Sequence, residues 1–483
     1  MTNQFPFVVI PPGTTASNFR RDLPLLYRAV IMATSSDYPS RQAFYEKQIV
    51  EFVTDHLLIR SHKNLDLLQG ILLFITWYKR NTMVVTQLNN LLQLAIALID
   101  DLYLNRSPTW FHKSKVLLAL ACSRSVKYGP KTMDERRALL GCFYLSSVAA
   151  TSFQRLDSMR LTRQIEESCQ ALLEKPEYPT DLQVAYVVKA QYLTDRIAQN
   201  IHINEGNIVH SPKTPIEMHI KAFQSEIFAM RESLSPSLRL NTSVLMHLDF
   251  ASMRLYEVAL LDNPQNPTTN PIATDPAHLE NLYSLLLSTK SFITATLATP
   301  GATYLSLSYI AWTQFTYSVA VLDRLTFFKS PSCPSWDVPF VRSVIDLSTV
   351  LSTFAGRFEQ AREHTCSQMM PGENSLRVEQ ANLYNRYALR TQMVREWFEH
   401  KAKFGNSANW DWEQAKVRLI NAFEGKNKGM EQEHTPIPPT MAGYDIVELK
   451  DGNMQLDPSL FDGLNDDSFW LNLLGEWGDG PGV

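Results

Sequence analysis

The stretch from Leu65 to Tyr78, LDLLQGILLFITWY, constrains what this chain can fold into more than any other. Leu65, Leu68, Leu72 and Ile75 fall on one helical stripe, and Leu67, Ile71, Phe74 and Tyr78 on a second, so apolar surface covers most of the circumference. The narrow remaining face carries Asp66, Gln69 and Gly70. A glycine inside a helix costs about 1 kcal/mol against alanine, which calls for close packing to offset it. Such a helix needs partners on nearly every side and specifies a large helical core. By itself it specifies no chemistry.

The rest of the chain repeats the pattern. After Pro39, residues Phe44, Ile49, Phe52, Val53, His56 and Leu57 keep helical spacing, and Val84, Leu88, Leu91, Ala95, Ile99 and Leu102 form a long amphipathic helix that packs on its predecessor. Thr132 to Glu135 is a capping box opening a helix that is apolar all round through Leu139, Leu140, Cys142, Phe143, Tyr144 and Leu145. Further start signals are Thr180 with Asp181, Thr214 before Pro215, Ser235 before Pro236 and Asp275 before Pro276. Residues Val244–Leu261, Leu279–Leu297, Tyr304–Phe328, Phe340–Phe358 and Val378–Lys403 read as helices, and no stretch alternates with period two for long enough to form a sheet. Asn263–Asn270 and Ser330–Pro339 read as surface turns. With only 18 glycines in 483 residues, the expectation is an all-α fold of packed antiparallel helices.

Net charge is −4, but residues 451–483 hold seven acids and no Lys or Arg, so the preceding chain carries +3 and has no basic surplus of the kind nucleic-acid binders show. Cys122, Cys142, Cys169, Cys333 and Cys366 lie far apart without a CxxC pair, which reads as reduced core thiols rather than disulfides or structural zinc. The apolar patch Phe5–Ile10 ends at Pro11 and Pro12 with no basic segment before it, unlike a signal peptide. No apolar run approaches the ~20 residues a bilayer requires, so no membrane partner is expected.

The common phosphate-loop, zinc-protease and nucleophile-elbow signatures are absent, and no His pair at i, i+4 offers a metal a helix face. Asp100 and Asp101, late in an inward-facing helix, suggest the magnesium-diphosphate site of terpene synthases, but the further carboxylate that site needs is replaced by Leu104. No downstream Asn/Ser/Glu triad accompanies it, and one doublet is too few hard ligands for magnesium. Acids at a helix C-terminus oppose its dipole, so a cation is expected beside Asp101: Arg106 locally, or Arg136 or Arg137 on the next buried helix.

The C-terminal segment carries the clearest functional signal. Trp470, Leu473, Leu474 and Trp477 fall at i, i+3, i+4 and i+7, preceded by Phe461 and Phe469 and surrounded by Asp462, Asp466, Asp467 and Glu476. Acids before a helix favour its N-terminus, and an acidic segment with aromatic and leucine anchors folds its apolar face into a partner groove as activation domains do. The plainer alternative is a C-terminal helix docked back on the body.

Several stretches together resemble the regulatory middle region of fungal Zn2Cys6 transcription factors: FPFVVIPP at Phe5–Pro12, LDLLQGILLFITWYK at Leu65–Lys79, QLNNLLQLAIALIDDLYLNR at Gln87–Arg106 and ERRALLGCFYLSS at Glu135–Ser147. The resemblance implies a helical regulatory domain, nuclear action and control of RNA polymerase II transcription, often of metabolic or secondary-metabolite genes. The six-cysteine zinc cluster of that family is absent from this chain, so its zinc and its DNA contacts are carried onto no residue here. Either the chain reaches promoters through a DNA-bound partner, or it is a fragment or mis-started product of a longer factor.

The expectation is therefore an all-α regulator with a helical regulatory domain over 1–424, a Pro-containing linker over 425–455 and an acidic, flexible tail over 456–483. That tail recruits transcription machinery or a coactivator through Phe461, Phe469, Trp470, Leu473, Leu474 and Trp477. No catalytic residue, cofactor or metal is expected, nor direct sequence-specific DNA binding. The competing classes are an all-α terpenoid-type enzyme and a non-catalytic helical scaffold.

Overall fold

Helix after helix is set by a capping oxygen or a first-turn proline and then buried by its apolar face. The computed structural model describes residues 4–78, 85–107, 110, 129–153, 158–201, 216–260, 276–329, 333, 336–367, 375–404, 414 and 418, and among these no residue is in a strand. The elements are α1 (Ala16–Asp22), α2 (Pro24–Thr34), α3 (Pro39–Val53) running into a π-helical turn (Thr54–Ile59), α4 (Leu65–Trp77), α5 (Val85–Asp101), α6 (Met133–Phe153), α7 (Arg163–Glu174) and α8 (Thr180–Ile201). They continue with α9 (Ile216–Glu232), α10 (Thr242–Tyr256), α11 (Pro276–Ala298), α12 (Tyr309–Phe327), α13 (Val338–Val344), α14 (Leu347–Ser367) and α15 (Ser375–Phe404). The fold is all-α, as the periodicity predicts.

Two apolar cores form. The first gathers Phe5, Phe7 and Val8 of an N-terminal strap with α2 to α7 and the first half of α8. The second gathers the end of α8 with α9, α11, α12, α14 and α15. Three helices belong to both: α8 gives Val184 and Val188 to the first core and Leu193 and Ile197 to the second, α10 gives Val244 and Leu248 to the first and Phe250 and Leu255 to the second, and α12 gives Ile310 to the first and Phe315 to the second. Polar ties close the same seam, since the Gln4 side-chain oxygen accepts from Ser308 N at 2.6 Å and Trp77 Nε1 donates to Ser306 O at 3.0 Å.

Helix α4 lies at the centre of the first core, buried from Asp66 to Trp77. Its polar face is buried too, which the composition of that face alone does not require. A Cβ on Gly70 would sit 2.5 Å from Leu25 Cγ, so the glycine lets α2 approach closely. Asp66 accepts from the backbone N–H groups of Leu25 and Leu26 at 3.1 and 2.8 Å, supplying the N-terminal cap that α2, which follows Leu23, lacks. The strap packs on α6, where Phe7 stacks on Tyr144 at 5.1 Å and a Cβ on Gly141 would meet Phe7 Cβ at 2.9 Å. The capping box at α6 forms in both directions, Glu135 N to Thr132 Oγ1 at 3.2 Å and Thr132 N to Glu135 Oε2 at 2.7 Å.

Four expectations need correction. The span Phe340–Phe358 is not one helix: it breaks at Ile345 and Asp346 with a bend of 41°, and Asp346 Oδ2 caps α14 by accepting from Thr349 N at 2.9 Å. Ser235 and Pro236 open only a 3₁₀ turn, Leu238–Leu240, and the cap of α10 is Asn241, whose oxygen accepts from Val244 N at 3.1 Å. In the segment Ser330–Pro339, Cys333 and Trp336 are buried, with Trp336 Nε1 donating to Leu325 O at 2.9 Å, so it is not simply a surface turn. Of the thiols, Cys142, Cys169 and Cys333 are free and buried as expected, while Cys366 is free but exposed. Cys122, Thr214, Asp275 and Asn263–Asn270 lie outside the described residues. No single helix among those described is long and apolar enough to cross a membrane.

Candidate functional site

The anchors Phe461, Phe469, Trp470, Leu473, Leu474 and Trp477, and the linker before them, lie outside the described residues. Within the described body, the groups with chemical potential are interior ionic clusters. At the end of α10, Glu257 is almost fully buried and receives Arg254 Nη1 at 2.7 Å, Arg324 Nη1 at 3.2 Å and the Tyr317 hydroxyl. Arg254 Nη1 also reaches the Tyr317 oxygen at 2.9 Å. Burial pushes the Tyr317 phenol far above its ordinary value, so it stays neutral and donates. One residue before Arg324, Asp323 accepts from Lys401 Nζ at 2.6 Å, and that ammonium lies over the Phe327 and Trp397 rings at 4.6 and 5.0 Å. Burial raises the Asp323 carboxyl, with Lys401 opposing the rise. These clusters lock α10, α12 and α15 together, and each charge has a partner, as buried charges require.

A second cluster joins α6 to α8. Arg137, whose side chain is wholly buried, makes a bidentate pair with Asp181, from Nε to Oδ1 at 2.7 Å and from Nη2 to Oδ2 at 2.9 Å. It also reaches Asp134 at 2.7 Å and Glu177 at 2.8 Å, and lies 5.0 Å from the Tyr178 ring. Asp181 therefore does more than begin α8: its Oδ2 accepts from Glu177 N at 2.8 Å and Tyr178 N at 3.0 Å, closing the turn before the helix. The sequence offered Arg137 as a candidate cation for Asp101, but not for this partner.

The expected partners of Asp101 are not those found. Asp101 pairs with Lys63 at 2.8 Å and Arg106 with Asp100 at 3.6 Å, while Arg137 is committed to Asp181. The reason is the helix end. Leu104 N bonds Ile99 O at 2.9 Å with Tyr103 in the left-handed region, φ 56°, a turn that stops α5 and folds Arg106 back toward Asp100. Both aspartates are substantially exposed, so they form no inward-facing carboxylate pair.

Burial also holds other titratable groups of the interior in their neutral forms. Burial pushes the Cys142 thiol well above its usual range and the Cys169 thiol to about 12, keeping both protonated. His247 is held neutral by burial, and its partners assign its proton: Nδ1 faces Ser243 O at 2.7 Å and Nε2 faces the Tyr144 hydroxyl at 2.8 Å. Among the described residues no group of three or more His, Cys, Asp or Glu side chains is arranged to hold a metal ion.

Comparison with known proteins finds similarity to proteins named transcription factors. A family model described as a C-terminal domain matches residues 301–451, from the 3₁₀ turn before α12 onward. The chain is 27% identical to transcription factor opdL of Penicillium oxalicum over 74% of its own length and 62% of that protein. It is 24% identical to transcription factor himD of Aspergillus japonicus over 82% of its length and 64% of that protein, and 24% identical to transcription factor pbcR of Emericella nidulans over 48% and 33%. The chain thus spans less than two thirds of the length of the relatives it matches. No solved structure matches it.

Proposed function

We propose that this chain, a relative of fungal transcription factors, is a transcriptional regulator in which the helical body over 1–424 carries an acidic activation tail over 456–483. One observation supports the reading above all others: similarity to proteins named transcription factors runs through most of the chain, not through one motif. The names of these relatives favour a non-enzymatic role over the all-α lyase alternative. The regulator acts in the nucleus on RNA polymerase II genes of metabolic or secondary-metabolite pathways. Its described interior is tied by paired charges.

In this reading Trp470, Leu473, Leu474 and Trp477 form the apolar face that a coactivator groove receives, with Phe461 and Phe469 flanking it. The chain's five cysteines contain no six-cysteine zinc cluster, so promoter contact falls to a DNA-bound partner or to the remainder of a longer factor. The test tethers the full chain to a heterologous DNA-binding domain and compares it with a version ending at residue 455. Reporter output lost on truncation, with unchanged helix content and melting of the body, supports the proposal. Output that survives truncation, or a body that unfolds without the tail, contradicts it.

A further inference from the structure

Of the twelve large apolar side chains most exposed among the described residues, four crowd into one short segment: Phe44 at 57%, Val50 at 42%, Leu58 at 59% and Ile59 at 72% exposed. The geometry of α3 explains the clustering. Its inner face spends Gln42, Glu46, Ile49 and Val53 on the core. Phe44, Lys47, Glu51 and Thr54, spaced by three and four residues, make one outward stripe. The π-helical turn that follows shifts the register and turns Leu58 and Ile59 outward as well, before Ser61 in the left-handed region, φ 55°, ends it. Single exposed hydrophobics are ordinary, but here Phe44 at one end and Leu58 and Ile59 at the other flank an exposed charged pair on one outward face.

The charges on the stripe say what kind of surface fits it. In order it reads apolar, positive, negative, polar, apolar: Phe44, Lys47, Glu51, Thr54, Leu58. Lys47 and Glu51 form a loose, exposed pair at 3.9 Å, and Arg60 is already matched by Asp55 at 3.0 Å. A ligand of one sign, such as the acidic tail, meets as much repulsion as attraction here. A partner with the same order running antiparallel meets attraction at both charges.

We infer that the outer face of α3 and its π-helical turn is a self-complementary surface for a second copy of this chain. A two-fold axis between Lys47 and Glu51 sets Lys47 of each copy against Glu51 of the other and brings each Phe44 beside the other copy's Thr54 and Leu58. The same patch then serves both copies and the assembly closes as a dimer. Contact along one helix and one turn belongs to the small class of specific interfaces, below about 1,200 Å², so the dimer is weak and concentration-dependent.

The test is sedimentation velocity on the full chain over a concentration series, with circular dichroism as the folding control. The wild type doubles its weight-average mass with concentration. Lys47→Glu and Glu51→Lys each stay monomeric, because each sets like charges opposite one another across the axis. An equimolar mixture of these two variants dimerises, since two acidic positions now face two basic ones. Phe44→Ser, which leaves the charges intact, weakens association at least about tenfold, the equivalent of 1.4 kcal/mol. A wild type that stays monomeric throughout, a dimer indifferent to both charge reversals, or a mixture that fails to associate overturns the inference. None of these readouts depends on transcriptional output, so failure here and failure of the regulatory reading are distinguishable.

Discussion

Arg137 shows how much a single residue is asked to do in this protein. A guanidinium with no exposed side-chain surface is tolerable only because three carboxylates surround it, one of them bidentate. Burial opposes its charge, but the bonds to Asp181 and Glu177 outweigh that and raise its value further. Asp181 answers in the opposite direction: burial disfavours its charge, yet Arg137 and the N–H groups of Tyr178 and Glu177 hold its carboxyl below the ordinary range. A carboxyl lowered in the native state binds fewer protons there than in the unfolded chain. It therefore contributes stability above its unfolded value, near pH 4, that is lost as pH falls through the native value. Asp181→Asn is expected to cost about 3 kcal/mol at pH 7, the low end for breaking a buried pair, because Asp134 and Glu177 still reach the guanidinium. Urea unfolding of both proteins from pH 7 downward checks this: the gap narrows on the acid side, and a gap that is constant or widens contradicts it. The sequence offered Arg137 only as a candidate partner for Asp101. Its actual partner was not legible, because Asp181 lies 44 positions away and only the pairing of α6 with α8 brings the two together.

At the scale of the element, α4 was the most legible part of the chain, since apolar residues around the whole circumference leave a helix only the interior. The glycine in it pointed to close packing, and α2 is what packs. Gly70→Val therefore forces Leu25 and the α2 backbone, which lies 3.2 Å from the ideal Cβ, to move. The expected cost is about 1 to 3 kcal/mol of overpacking. Chemical denaturation measures it, and an unchanged midpoint would mean α2 is free to shift. Asp66 was less legible: on a helical wheel it is a polar edge, and only the arrival of the α2 N-terminus makes it a cap. The capping box at Thr132 and Glu135 was readable because both partners are local. The break at Ile345 and Asp346 was missed for a related reason, since apolar spacing continues across it and the interruption comes from a capping aspartate that also suits a helix exterior.

At the scale of the whole molecule, two cores share α8, α10 and α12, and the strap at Gln4 and the indole of Trp77 tie the seam. Helix content and the presence of a large core were legible from periodicity. The division into two cores was not, because it depends on which parts of α8, α10 and α12 face which neighbours. Among the described residues the interior carries paired charges and buried, protonated thiols at Cys142 and Cys169, and the relatives it resembles are named transcription factors. The central claim is that the acidic aromatic segment carries the output. It is tested most directly by fusing residues 425–483 to a heterologous DNA-binding domain and measuring reporter transcription, with Trp470→Ala, Leu473→Ala and Trp477→Ala combined as the comparison. The account predicts strong transcription from the fusion and its loss in the triple variant. Transcription that is absent from both, or equal in both, would contradict it.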